Sequence, residues 1–286
     1  MAKAPERDAI TGTATTGHEW DGIRELDTPM PRWWLYTFYA CILFALVWMV
    51  LYPSLPYVPS VTGWTARGAI GPIMEAERAR TEPMMARIRA ATPAAIAADP
   101  ELRAFALAGG RVAFATNCAP CHGAGGQGAP GGFPSLVDDD WLFGGTFDDI
   151  HFTIQHGVRN GEDPEARGVA MPAFLSTGLT PAQISDLADY VLSLSDSPHD
   201  AAGAGRGKEL FADNCASCHG PDGKGMHEMG APNLTDRIWL YGGTKAAIAQ
   251  TIAYSRAGVM PAWGGRLDPA MINMLTVYVH ALGGGE

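Results

Sequence analysis

Residues 117–123 read NCAPCHG and residues 214–220 read NCASCHG, the same pattern 97 positions apart. Four of the five cysteines lie in these two stretches, and the fifth, Cys41, sits in an apolar run. No cysteine is left over for a disulfide framework. A zinc ribbon would want its second cysteine pair within about 15–20 residues of the first. A thioredoxin-like dithiol has no need of histidine at the next position, and outside the cytoplasm a bare dithiol risks oxidation.

Cys-x-x-Cys-His instead suits covalent attachment of haem. Two thiols at that spacing reach the two vinyl groups on one porphyrin edge, and the adjacent histidine falls under the iron. The motifs therefore predict two covalently bound haems c, held by Cys118, Cys121 and His122 and by Cys215, Cys218 and His219.

The repeat extends past the motifs. Gly110 and Phe114 precede Cys118 by 8 and 4 positions, and Gly207 and Phe211 precede Cys215 by the same intervals. WLFGGT at 141–146 matches WLYGGT at 239–244, and MPAF at 171–174 matches MPAW at 260–263. Each copy ends on helix-start chemistry, Thr180-Pro181 with Gln183 and Asp268-Pro269. Leu187/Tyr190 and Leu275/Tyr278 then share a face at i, i+3.

This layout resembles class I cytochrome c domains. In that family the first and last helices cross at such Gly/Phe and Leu/Tyr positions, and a later methionine binds the iron. The resemblance implies Met171, 49 residues after His122, for the first copy, and Met260, 41 after His219, for the second. His151 and His156 compete in the first copy, while Met226 and Met229 lie too close to their own motif to cross over easily. His/Met ligation raises the potential and fills both axial positions, which favours electron transfer over oxygen chemistry. Trp141 and Trp239 read equally as core aromatics or as neighbours of haem propionates.

From Trp33 to Tyr52 the chain runs twenty residues without a charge, enough to cross the roughly 30 Å apolar core of a bilayer. Tryptophan and tyrosine flank the run and Pro53 closes it. The leader is too long, and the following PSLPYVPS too unlike a cleavage site, for a signal peptide. Lys3, Arg7, Arg24 and Arg32 precede the span and only Arg67 follows closely, placing the N-terminus in the cytoplasm and the remainder in the periplasm.

The net charge of −10 is uneven, at −9 over residues 101–200 and zero over 201–286. This acidic stretch is either a solvated face or a docking surface for a basic partner. The acidic balance excludes nucleic acid as a natural partner. If the surface docks a donor, Asp138, Asp139, Asp140, Asp148 and Asp149 are the candidates, with electrons entering at the first haem domain.

The stretch GHEWDGIRELDTPMPRWWLYTFYACILF resembles the start of the dihaem subunit III of cbb3-type cytochrome c oxidases, and the likeness runs through the whole chain. That resemblance implies an electron-transfer subunit of a bacterial inner-membrane complex, with no oxygen-reduction site on this chain. It also implies partnership with a catalytic haem/copper subunit and a monohaem cytochrome c subunit, and a periplasmic cytochrome c donor docking on the acidic first domain. A free-standing anchored carrier is the alternative, and a dihaem peroxidase a third that paired MPA motifs disfavour.

The expected architecture is all-α: a cytoplasmic segment (1–32), a transmembrane helix (33–52), an Ala-rich, partly helical connector (53–104) and two class I cytochrome c domains (105–196 and 203–286). The connector is read as a spacer or as a subunit contact, and residues 195–205 as a flexible tether. GEDPEARG at 161–168 is an insertion in the first copy.

Overall fold

The computed structural model describes residues 6–55 and 59–286. Lys3 of the charge bias and connector residues 56–58 lie outside the described residues. The chain divides into two compact units, Met1–Ala79 and Arg80–Glu286.

The first unit opens with a hairpin that the all-α expectation omitted. Strands β1 (Thr15–Trp20) and β2 (Ile23–Leu26) pair antiparallel, with Trp20 opposite Ile23. Asp21 and Gly22 turn the chain with φ of 49° and 83°. Two positive φ values in succession define a type I′ turn, for which Asp-Gly is a preferred pair. The DGI stretch is therefore a turn as well as a family feature. Helix α1 (Arg32–Leu51) follows, with a mean hydropathy of 2.0 and no buried residue. Helix α2 (Ala66–Ala90) begins in this unit and ends in the second.

In the second unit come α3 (Pro93–Ala98), α4 (Pro100–Asn117), α5 (Ala119–His122) and α6 (Phe147–His156). They are followed by α7 (Phe174–Thr177), α8 (Pro181–Leu194), α9 (Ala201–Asn214), α10 (Ala216–His219), α11 (Lys245–Tyr254) and α12 (Pro269–His280). The start signals hold in detail. Thr180 and Gln183 form a reciprocal capping box on α8, and Asp99 accepts from the backbone N–H groups of Glu101 and Leu102 at the start of α4.

The helices do not pair within each copy of the repeat. Helix α4 packs along α12, and α8 along α9. Both crossings use the expected residues, taken from opposite copies. A Cβ on Gly110 would lie 2.5 Å from the Met274 carbonyl oxygen, and one on Gly207 2.2 Å from that of Asp186. Glycine is required at both because backbones touch there. Phe114 meets Tyr278 with ring centroids 5.4 Å apart, and Phe211 meets Tyr190 at 5.1 Å.

The two copies, 105–196 and 203–286, therefore pack against each other, each closed by a helix from the other. Residues 195–200 are too short a connection to separate two domains and instead join two antiparallel helices. Asp200 caps α9, and its backbone N–H donates to the buried Asp189 carboxylate of α8 at 3.2 Å.

The connector is neither free spacer nor open contact surface at its C-terminal end. Ile88 and Ile96 are fully buried against Leu102, Ala106 and Met274. Asn273 of α12 donates to the carbonyls of Ile88 and Ala91 at 3.0 and 3.1 Å. Arg89 pairs with Asp268 at 3.1 Å. The start of α12 is thus held by residues some 180 positions earlier.

Candidate functional site

Each motif lies where one helix ends and a short turn begins. Cys118 closes α4, and α5 then carries Cys121 and His122. Cys215 closes α9, and α10 carries Cys218 and His219. Both histidine rings are held the same way. Nδ1 of His122 bonds the Pro134 carbonyl at 3.0 Å, and Nδ1 of His219 bonds that of Pro232 at 3.0 Å. A carbonyl acceptor fixes the proton on Nδ1 and leaves Nε2 as the nitrogen open to a ligand. Burial lowers the pKa of both rings, with the proline bond opposing, so both are neutral at pH 7.

The thiols are equally telling. Burial, with the neighbouring cysteine adding to it, pushes Cys118 and Cys215 up to about 11. A reactive redox dithiol needs a lowered thiol pKa, so this setting does not suit one. All four motif cysteines are unpaired. Both cysteine pairs and both histidines line one continuous, largely apolar cavity.

The walls of that cavity come from both copies. Around Cys118 stand Phe114, Ile150, Ile154 and Val279, with Trp141, Met260 and Trp263 at the edge. Around Cys215 stand Leu187, Val191, Phe211, Ile248 and Ile252, with Met171 and Trp239 at the edge. Met171 therefore packs with the second motif and Met260 with the first, the reverse of the order along the chain. The expectation paired each motif with its own MPA stretch, and this packing favours the other assignment. The chain leaves the first site after α6, supplies Met171, α7 and α8 to the second, and returns after α11 with Met260 and α12.

The competing ligands fall away from the cavity. His156 pairs with Asp163 at 3.0 Å, inside the inserted loop, and His151 faces Asn273. Neither lines the cavity, nor does Met226, although Met229 reaches its wall. The tryptophans are core and cavity residues at once, and the Trp141 indole N–H donates to the Gly284 carbonyl.

The acidic candidates separate. Asp139 and Asp148 are exposed, whereas Asp149 is paired with Arg167 at 3.2 Å. Asp138 and Asp140 line the cavity. Desolvation, then Asp236, Asp138 and Asp139, push Asp140 up to about 6, with His227 opposing.

The donor set fits haem c at both places: two thiols, a neutral imidazole with Nε2 available, a thioether across the cavity and apolar walls. Among the described residues no buried side-chain polar atom lacks a hydrogen-bond partner, so the polar groups around the cavity are already committed to the protein. Sequence reasoning missed the two proline acceptors. The matching P-x-L stretches at 134–136 and 232–234 carried that signal.

Three family models match in succession: "N-terminal domain of cytochrome oxidase-cbb3, FixP" over residues 12–59, "Cytochrome c" over 107–195, and "Cytochrome C oxidase, cbb3-type, subunit III" over 202–279. The chain is 54% identical to the cbb3-type cytochrome c oxidase subunit FixP of Azorhizobium caulinodans, covering 98% of this chain and 96% of that one. It is 47% identical to the subunit CcoP of Cereibacter sphaeroides and 49% identical to the subunit FixP of Bradyrhizobium diazoefficiens, each over the full length of both chains.

Proposed function

The chain belongs to the subunit III family of cbb3-type cytochrome c oxidases, and from that premise we propose how its residues divide the work of a membrane-anchored electron-transfer subunit with two covalently bound haems c. Each haem, once attached, supplies a centre that takes up and releases one electron. Everything else is positioning by the protein.

Cys118 and Cys121 would hold the first haem by thioether bonds, with His122 and Met260 as ligands to its iron. Cys215 and Cys218 would hold the second, with His219 and Met171. The carbonyls of Pro134 and Pro232 orient the imidazoles and raise their basicity. Methionine ligation would raise the potential of each haem. The apolar walls exclude water, so little solvent reorganises when charge changes.

The observation that carries this reading is the crossed packing, Met260 on the same apolar cluster as Cys118 and Met171 on the same one as Cys215. A chain carrying Cys215→Ser and Cys218→Ser keeps only the first haem. In that background Met260→His is expected to abolish the far-red methionine–iron band, and Met171→His to leave it. The opposite pattern would show that each motif uses its own MPA stretch.

The remaining partners follow from the family. Helix α1 anchors the chain in the bacterial inner membrane, N-terminus in the cytoplasm, with both haem sites periplasmic. The chain assembles with a catalytic haem/copper subunit and a monohaem cytochrome c subunit. A periplasmic cytochrome c delivers electrons at the exposed carboxylates Asp139 and Asp148, near Trp141.

A further inference from the structure

The two stretches that carry the chain between the haem sites meet at residues 157–160. Val158 and Met260 exchange both backbone hydrogen bonds, each 2.9 Å, and Asn160 Nδ2 donates to the Met260 carbonyl at 3.2 Å. On the other side, the Arg159 N–H donates to the Arg167 carbonyl at 2.9 Å and the Arg167 N–H to that of Gly157 at 3.1 Å. The Arg159 side chain then spans both stretches. Its Nε donates to the Gly258 carbonyl at 2.8 Å, and its Nη1 to the Val169 carbonyl at 2.8 Å.

Those two carbonyls hold matching places. Gly258 lies two residues before Met260, and Val169 two residues before Met171. Burial does little to hold either approach, since Val259 is 62% exposed and Val169 is 38% exposed. Arg159 itself has a φ of 51°. That left-handed conformation is unfavourable for a side-chain-bearing residue and persists only where its surroundings fix it. Arginine suits the task because its planar guanidinium presents donors in fixed, divergent directions, whereas lysine is a single point donor.

We propose that Arg159 is a positioning residue that ties the two methionine-bearing loops to each other, so that both distal ligands are held, or released, together. Met260 is held also by Val158 and Asn160, and the Ser255 hydroxyl donates to the Met171 carbonyl, so the role of Arg159 is to link the two loops. This rests on the reading of Met171 and Met260 as ligands, and the experiment separates the two.

The test uses the full chain with both haems, purified in detergent. Met171→His and Met260→His each leave a single methionine–iron band to follow. If both bands survive in either single variant, the ligand reading itself fails. Arg159→Asn is then added to each, because asparagine tolerates the left-handed backbone. The remaining band is expected to weaken or vanish in both backgrounds, and both reduction potentials are expected to fall when Arg159→Asn is made alone. Arg159→Lys, which keeps the charge but not the fork, is expected to behave likewise, and it carries the test if the asparagine variant loads haem poorly. Loss in only one background, loss in neither, or full retention with lysine would overturn the proposal. Glu162→Ala removes the exposed contact from the inserted loop to Arg266, 2.8 Å long, and leaves the Arg266 guanidinium over the Trp263 ring. It is expected to leave both bands intact. Equal weakening there would show general loosening of the loop and would also overturn the assignment to Arg159.

Discussion

At the scale of single residues, Asp140 shows how the cavity taxes a charge placed on its wall. Its carboxyl titrates at about 6 in the folded chain against 3.8 ordinarily, chiefly through desolvation. The folded state therefore binds more protons across that window, and stability falls as pH rises from about 4 to about 6. Asp140→Asn removes the effect. Because the group is only half-buried, solvent screening holds the gain to about 1 kcal/mol above pH 6. Thermal melts of the haem-loaded variant should show a raised midpoint at pH 7.5 and none at pH 4, and equal shifts at both would exclude this cause. The residues of the haem motifs were plain from sequence because their spacing has one use. Arg159 was not, since a lone arginine in a loop carries no pattern, and its role comes from two carbonyls 10 and 99 positions away.

At the scale of elements, helix boundaries were legible where a capping residue precedes proline, as at Thr180 and Asp268, whereas Asp200, which caps α9, lies in the stretch read as a flexible tether. The hairpin at Asp21-Gly22 was missed although its turn pair was in view, because the flanking residues lack the alternation of a half-buried strand. The connector was misjudged for a different reason. Its composition is that of an exposed Ala- and Arg-rich helix, yet Ile88 and Ile96 are wholly buried on α4 and α12. Two isolated isoleucines make no periodic stripe. Large-to-small changes at such sites cost about 2–5 kcal/mol. Ile96→Ala is therefore expected to lower the stability of the haem-loaded chain by an amount in that range, measured by denaturant unfolding. A loss under about 0.5 kcal/mol, typical of surface changes, would mean that the connector does not dock.

At the scale of the whole molecule, the repeat was legible but its closure was not. Two similar copies present interchangeable Gly/Phe and Leu/Tyr faces, so similarity cannot say which helix closes which site. The crossing also dissolves the charge asymmetry read along the chain. Residues 101–160 with 260–286, which build the first site, carry 4 basic and 8 acidic side chains, a net of −4; residues 161–259 carry 7 and 12, a net of −5. Net charge therefore favours neither site, and the proposed donor docking rests on the exposed carboxylates alone. Asp139→Asn with Asp148→Asn should slow oxidation of a basic cytochrome c several-fold at low ionic strength and flatten its salt dependence, because rim charges act on association and are screened within about 10 Å at 0.1 M. An unchanged rate and slope would place docking elsewhere. The crossing also imposes an order in time. As the chain leaves the ribosome, the last helix of the second site, α11, is finished at Tyr254, while the first site waits for α12, which ends at His280. The motif translated first is the last to be enclosed. During synthesis, therefore, the earlier motif stands open while its successor already has all its helices.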